Sequence, residues 1–423
     1  MKKIVMLAIV LLIGLVGLTY ISVNSTSEKF KTCEILDISE VKETDFTQYD
    51  SVVVAANTLY EGDWLKKIMQ GEQYRDAWSA PIRVPIVYLD TLLGGLKVIE
   101  QGGGMQTHSL ELADNNGVRY SLRSITKDPS KLIPEAAEKL GLENIVVDGI
   151  SAQHPYSALV VAELSEAAKI IHTHPKVYFV PEQSTLEKHN DKYGNRLFFL
   201  EYETEGDVNW TDYTNVRELA DTDDIQEWKS EGKPIILDYP QIVRARLFDL
   251  IIGDWDRHAK QWGWAIEEKE DKWIAHPIAG DRDNAFFKQD GVIPSIISNE
   301  LFLPEVQSYE EDIEHMPGLV QAFDVYFLKS VPKETFIEQA KLLQETLNDS
   351  VINNAFRVWP ENIYELNGEE IKTKLIARRE GIVEYAKIFK QILDERELEP
   401  VVLNGSEDLE LSEELSKCFD CLD

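Results

Sequence analysis

Cationic side chains are scarce in this chain. Lysine and arginine together number 43 against 75 aspartates and glutamates, a formal net charge of −32. That balance excludes nucleic acid and anionic lipid headgroups as main partners, because binding their phosphates needs clustered Lys and Arg. A local basic pocket stays open. Cysteine is nearly absent, with three in 423 residues. Cys418 and Cys421 form one C-x-x-C, half of a zinc site at most, and they sit in a terminal acidic stretch without the strand–helix context of a redox motif. An incidental local disulfide or free thiols is the simpler reading. Cys33 lies too far beyond the first apolar run to be a lipoprotein site. No internal repeat and no long low-complexity tract occurs, so repeat arrays are excluded.

What is present begins with Met1 to Val23. Lys2 and Lys3 precede a long uncharged run, the pattern of an export signal or signal anchor. The run is long enough to span a bilayer. Val23-Asn24-Ser25 is a weak cleavage site. The expectation is a cell-envelope, extracytoplasmic protein, anchored to the membrane by this segment or secreted. The remaining 400 residues, in a chain 43% hydrophobic, can bury a large core in one two-lobed domain or two domains.

The densest chemistry lies in GDWDRHAKQWGWAIEEKEDKWIAHPIAGDRDNAFF, Gly253 to Phe287. Pro240 to Ile252 reads as a helix, with Pro240 at a first helical position and Ile242, Val243, Leu247, Leu250 and Ile251 on a buried face. Gly253 suits the residue just past its end. Asp254, Asp256 and His258 therefore fall on a loop at a helix terminus. Trp262, Trp264 and Ile266 alternate, EEKED makes a polar turn, and Trp273 to Ile278 is a return strand ending at GDRD. A hairpin brings its ends together, so Asp256 and Asp283 are expected to be close although 27 positions apart. Such carboxylates suit phosphoryl transfer: one orients a hydroxyl while another holds a divalent metal on phosphate oxygens. GDWDRH also looks like the metallophosphatase GDxxDRG, but it is one residue short and lacks an upstream D-x-H and a downstream GNH.

Helix, loop, hairpin and aspartate stand in the order used by protein-kinase-like folds. The DRH core with its glycine resembles the catalytic loops of atypical kinases: phosphatidylinositol kinases, HipA-like kinases and secretory-pathway kinases. In HipA-like kinases a loop G-N-x-D-x-H-x-x-N supplies a catalytic Asp and, five residues on, a metal-binding Asn. Asp256 matches the Asp, Asp254 replaces the first Asn, Gln261 replaces the second, and DRDNAF resembles the metal-binding segment. More broadly, GGGMQTHSLEL, YSLRSITKDP, ISAQHPYSAL, RARLFDLIIGDWDRH and GDRDNAFF together resemble a family of exported Bacteroidetes-type proteins with a kinase-like arrangement, from about Trp78 to about Gly405.

The resemblance implies an α+β, two-lobed atypical protein-kinase-like fold with a strand-rich N-lobe and a mainly helical C-lobe. Its divisions would be 1–23 signal or anchor, 24–50 linker, 51–203 N-lobe, 204–404 C-lobe and 405–423 acidic tail. It implies Asp256 as the catalytic residue at the acceptor hydroxyl. Asp283 would hold Mg²⁺ or Mn²⁺ with help from Asp281 or Gln261. Arg123 would bind the phosphates of ATP or another nucleotide beneath Gly102, Gly103 and Gly104, while Arg257 and His258 brace the loop. The acceptor would be an unidentified protein, glycan or lipid of the envelope. The alternative is an inactive pseudokinase serving as a binding or scaffold module.

Elsewhere, Asn116-Gly117 is a strong hairpin signal. Lys127 places a second cation near phosphate or forms a turn with Asp128-Pro129. Ser151 to Ile171 reads as a helix whose Glu163 is a candidate partner for the N-lobe cation, with Asp148 an equal one. His172-Thr173-His174 suggests metal only with further ligands, none evident nearby in sequence. Val177 to Val180 and Arg196 to Tyr202 read as strands, the second suited to a hinge facing adenine. Residues 203–233 read as an acidic insertion or substrate-side loop, Lys333 to Leu347 and Glu369 to Leu393 as helices, Arg378-Arg379 as surface salt bridges, and Val401 to Leu403 as a short strand.

Overall fold

In the computed structural model, residues 2–24, 26, 28–102, 106–297 and 303–397 are described. The C-x-x-C, the strand expected at Val401 to Leu403 and the acidic tail lie outside them, as do Gly103 and Gly104. Strands form three sheets. β1 (Glu34–Ile35), β2 (Ser51–Ala55) and β3 (Pro81–Pro85) are antiparallel in that order. β4 (Lys97–Gly102), β5 (Ser109–Ala113), β6 (Arg119–Ser124), β7 (Lys176–Val180) and β8 (Arg196–Tyr202) make an antiparallel sheet of order β4-β5-β6-β8-β7. β9 (Val216–Asp221), β10 (Ile235–Leu237), β11 (Trp262–Lys269) and β12 (Lys272–Ala279) make the third, of order β10-β12-β11-β9, with β10 parallel to β12. The molecule is mixed α and β, and among the described residues after 291 every regular element is a helix.

The helices that matter here are α1 (Lys2–Val23), α2 (Ser157–Ala167), α3 (Thr222–Ser230), α4 (Tyr239–Ile252), α5 (Lys333–Thr346) and α6 (Glu369–Glu395). α4 starts where Asp238 accepts from the Gln241 amide, with Pro240 in the first turn. It stops at Gly253, which is left-handed at φ 70°; a Cβ there would also stand 2.3 Å from the Tyr309 ring. Only glycine meets both demands. The carbonyls at that end are satisfied from afar: Arg378 donates to Leu250 O at 2.9 Å and Tyr309 Oη to Ile251 O at 2.9 Å. Arg378 is thus a buried helix cap, not a surface ion pair, whereas Arg379 makes the expected ion pairs, with exposed Asp349 at 2.8 Å and Glu380 at 3.4 Å, while also donating to Leu347 O at 3.0 Å. α5 and α6 pack on α4, and Trp262 of β11 stacks on Phe323 with centroids 4.9 Å apart.

Other expectations shift in extent. The β11–β12 hairpin is tighter than EEKED suggested: Glu267, Glu268 and Lys269 stay in the strand, and Lys269 pairs with Lys272 across Glu270-Asp271. The α2 region is shorter at its start, because 150–152 form a separate 3₁₀ turn before Pro155. Residues 203–233 are not one loop. They hold β9, which pairs with β11, and α3, opened by a capping box between Asp221 and Asp224. Within the stretch expected as a linker, 24–50, the described residues pack on the core: β1 pairs with β2, and Cys33 and Phe46 are buried. α1 is long and apolar enough to cross a membrane and is exposed over most of its length. Its end is held to the rest, Gln70 Nε2 donating to Ser22 Oγ at 3.0 Å.

Candidate active site

A cleft of about 1360 Å³ opens between the five-stranded sheet and the loops at the end of α4 and β12. Asp256, Asp281, Asp283, Arg123 and Gln261 all line it, and so does Lys127. The hairpin produces this convergence. Trp262 pairs with Ala279, so the loop entering β11 and the turn leaving β12 start side by side. Gly263 allows the close fit, since a Cβ there would stand 2.2 Å from Thr204 O. Arg257 then ties the two ends together. It is fully buried and donates to Gly280 O at 2.7 Å and Gln261 O at 3.2 Å. Its Nε lies 3.2 Å from Asp249. His258 Nε2 lies 3.7 Å from Asp256 Oδ1.

Arg123 comes from β6, where it pairs with Ser109, whose other neighbour is Gly102. Gly102 therefore ends β4, two strands from the arginine. The described residues between it and β5 that reach the cleft are Gln106 and Thr107. Arg123 bonds Asp281, lies 2.8 Å from Glu201 on β8 and 3.8 Å from Asp283. Lys127 bonds Asp283. Neither proposed helix carboxylate pairs with Arg123. Glu163 faces solvent, while Asp148 is buried between Arg75 and Lys66, at 2.5 and 2.9 Å. The partner is instead Glu201, one strand away.

Two contacts escaped sequence reasoning. Asn284 Nδ2 lies 3.3 Å from Asp256 Oδ2, and Gln153 Nε2 donates to Asn284 Oδ1 at 2.7 Å. The amide beside Asp256 is therefore Asn284. Gln261, expected at the metal with Asp283, lines the cleft with its Nε2 3.4 Å from His258 Nε2. The DRDN run itself was the available signal. Asp281 at φ 40° and Phe286 at φ 62° bracket this turn in left-handed backbone, unusual for a residue as bulky as phenylalanine. Phe286 is held there by Ile252 O, which accepts from its amide at 2.8 Å.

The carboxylates are electrostatically divided. Burial raises the pKa of Asp256, and nearby Asp283 raises it further against the opposing pull of His258. Burial also acts to raise Asp283, but Lys127 and Arg123 outweigh it and hold this group below the usual carboxylate range. Asp254 is pushed well up by burial, against Arg257, and its Oδ2 has no hydrogen-bond partner. One group is thereby suited to take a proton and another to remain anionic.

No family model matches the chain, and no curated protein matches it. Among solved structures it is similar to the Helicobacter pylori proinflammatory kinase CtkA, with 15% identity over 72% of this chain and 97% of that chain, at a TM-score of 0.39. It is also similar to a chain of the Shewanella oneidensis HipA–HipB toxin–antitoxin complex with operator DNA, with 10% identity over 70% of this chain and 67% of that chain, at a TM-score of 0.33. Neither likeness assigns a role to a residue.

Proposed function

We propose that the protein is a metal-dependent phosphotransferase with a two-lobed, atypical kinase-like architecture. The five-stranded sheet would be the core of the N-lobe (51–203) and the chain from 204 onward the C-lobe. The observation that carries this reading is the cleft itself. Asp256 and Asp283 line it together, with opposite pKa shifts, beneath Arg123 and Lys127. In a chain of net charge −32, the same cleft also collects Lys131, Lys260 and Arg396, cations that a phosphorylated ligand can use, interleaved with the carboxylates of Glu201, Glu203 and Glu305.

The donor set fits Mg²⁺ or Mn²⁺. Asp281 and Asp283 offer carboxylate oxygens from one turn, and Gln153 Oε1, on the cleft wall, has no hydrogen-bond partner among the described residues. Asp281 and Asp283 would hold the ion; Gln261 and Asn284 are the neighbouring amides. A divalent cation bound there supplies charge neutralisation on phosphate oxygens. Arg123 and Lys127, now paired with these aspartates, would turn to the phosphates of ATP or another nucleotide. Asn284 holds Asp256 in place, and Asp256 would orient an acceptor hydroxyl and take its proton late in transfer. Arg257 fixes the loop. α1 would place the protein at the membrane, with the remainder outside the cytoplasm and an envelope protein, glycan or lipid as acceptor.

One observation favours a second reading, a nucleotide-free scaffold: Arg123 and Lys127 already neutralise Asp281 and Asp283 by ion pairing. Nucleotide affinity with and without Mg²⁺ or Mn²⁺, together with phosphate transfer, separates the two. Asp283→Asn is expected to weaken metal-dependent binding, Asp256→Asn to lower turnover with binding kept, and Arg123→Ala to weaken binding with or without metal. If the wild-type chain binds no nucleotide with either metal, the catalytic reading falls and the scaffold stands.

A further inference from the structure

We propose that Glu166, His172 and His174 form a second metal site, for one divalent transition-metal ion of the zinc class, separate from the cleft. One ligand atom from each of the three lies within 4.8 Å of the other two. The sequence shows only the H-x-H; the third ligand comes from the last turn of α2. The chain turns back there through Lys169 at φ 55°, with the Lys169 amide donating to Glu166 O at 3.1 Å.

The histidines are arranged as ligands. Their ring centroids stand 4.1 Å apart. His172 is buried, and its Nδ1 lies 3.2 Å from Ile170 O. A carbonyl only accepts, so Nδ1 carries the proton and Nε2 keeps the lone pair that a metal takes. Metal-binding histidines are oriented by a second-shell bond of this kind. His174 sits in left-handed backbone at φ 53°, its ring edge-on to Tyr202 and Trp210. Glu166 and His174 are exposed, which gives an ion a route in. Two imidazoles and one carboxylate select zinc, cobalt or nickel over magnesium, the reverse of the oxygen donors in the cleft.

The site would act on the joint between two sheets. Ala279 of β12 donates to Ile171 O at 3.0 Å, and Tyr202 of β8 donates to Thr173 O at 2.8 Å. Thr173 lines the cleft and donates to Glu201, the partner of Arg123, at 2.5 Å. An ion on Glu166, His172 and His174 ties the end of α2 to this connector and fixes the strand that positions Glu201. Its role is structural.

The test uses the full-length chain in detergent, stripped with a chelator. Co²⁺ binding is followed by its visible absorption, and Zn²⁺ binding by competition with a chromophoric chelator. One equivalent should bind with an imidazole-containing cobalt spectrum and no thiolate charge-transfer absorption, which distinguishes it from metal on Cys418 and Cys421 and from weaker binding in the cleft. Glu166→Gln and His174→Ala, both at exposed positions, should each weaken binding at least about tenfold with the circular dichroism of the fold unchanged. Asp283→Asn should bind zinc as the wild type does. Wild-type affinity in both Glu166→Gln and His174→Ala overturns the proposal, and so does a loss confined to Asp283→Asn, which would put the ion in the cleft.

Discussion

Two acidic clusters lie on either side of the α4 terminus, and they differ in what their cations leave exposed. Asp249 is fully buried. Arg246 meets it at 3.0 Å, Arg257 at 3.2 Å and Arg282 at 2.9 Å. Burial acts to raise its pKa, and the three guanidiniums, Arg282 foremost, outweigh that and keep it ionised. Asp324 completes the cluster by holding Arg246 at 2.5 Å. In the cleft, Asp283 has two cations and an open face, and Asp256 has His258 and an amide. An aspartate enclosed by three arginines has no lone pair to offer a ligand. An aspartate paired on one side has. The same residue type serves as structure in one cluster and is available for chemistry in the other, and Arg257 belongs to the first while positioning the second.

Breaking the buried cluster should have the largest effect. Asp249→Ala removes the carboxylate that three guanidiniums share in a dry interior, leaving Arg246 its Asp324 but Arg257 and Arg282 only neutral hydrogen-bond partners, and removing one partner of such a cluster costs about 3–5 kcal/mol. Denaturant melts should show that loss, with expression falling in parallel. A loss below about 1 kcal/mol would mean that water reaches the cluster and that the contrast is false. Asp256→Asn should do the opposite: melting close to wild type, and turnover lower by about 10²–10⁴-fold, the usual worth of a positioned general base. Equal loss of stability in both variants would erase the distinction. Asp283→Asn falls between them. Lys127 and Arg123 are themselves buried and lose a charged partner, so stability falls, though less than for Asp249→Ala because the cleft is open on one side, and affinity for Mg²⁺ or Mn²⁺ with nucleotide should drop about tenfold or more. The measurement is nucleotide titration at fixed metal, and unchanged affinity would move the metal ligands elsewhere.

How far this contrast could be read from the chain depends on the range of each contact. α4 is marked by Pro240 and Gly253 and by its apolar face, and the hairpin by the alternation of Trp262, Trp264 and Ile266, all local signals. The hairpin alone brings Asp256 and Asp283 together. The cations cannot be read that way. Arg123 and Asp281 are 158 positions apart and Lys127 and Asp283 are 156, and no periodicity links them. Lys127 looked like a turn residue because it follows β6. Asn284 meets Asp256 only because the hairpin closes a span of 28 positions, a pairing that no signal in the loop itself marks. Asp249 sits mid-helix with no capping or motif signal, and its importance comes only from Arg257 and Arg282, which belong to other segments. Arg378 looked like a surface charge because its target, Leu250 O, is on another helix.

A third carboxylate sharpens the comparison through pH. Glu203 also lines the cleft, but burial is joined by the repulsion of Glu201, Glu205 and Glu111, opposed by a hydrogen bond from Ser121, and its pKa is pushed up to about 7. Its ordinary value is 4.5. Below that value the group is protonated in both folded and unfolded chains and contributes nothing. Between the two values the folded chain keeps the proton and the unfolded chain releases it, so this group lowers stability as pH rises. The cost is complete once pH passes the folded value. Glu203→Gln removes the titration and retains the shape. The difference in melting temperature, variant minus wild type, should therefore grow in the variant's favour from about pH 5 and level off above about pH 7 to 8. Asp283, held down by its cations, predicts the opposite trend: Asp283→Asn should lose ground to wild type as pH rises through the lowered value towards the ordinary one. Melts of Glu203→Gln between its ordinary value of 4.5 and about 7, and of Asp283→Asn below its ordinary value of 3.8, test the pair. A flat Glu203→Gln difference would mean that cations or water neutralise Glu203 as they do Asp283, and the cleft would then hold no carboxylate set apart by its acidic neighbours.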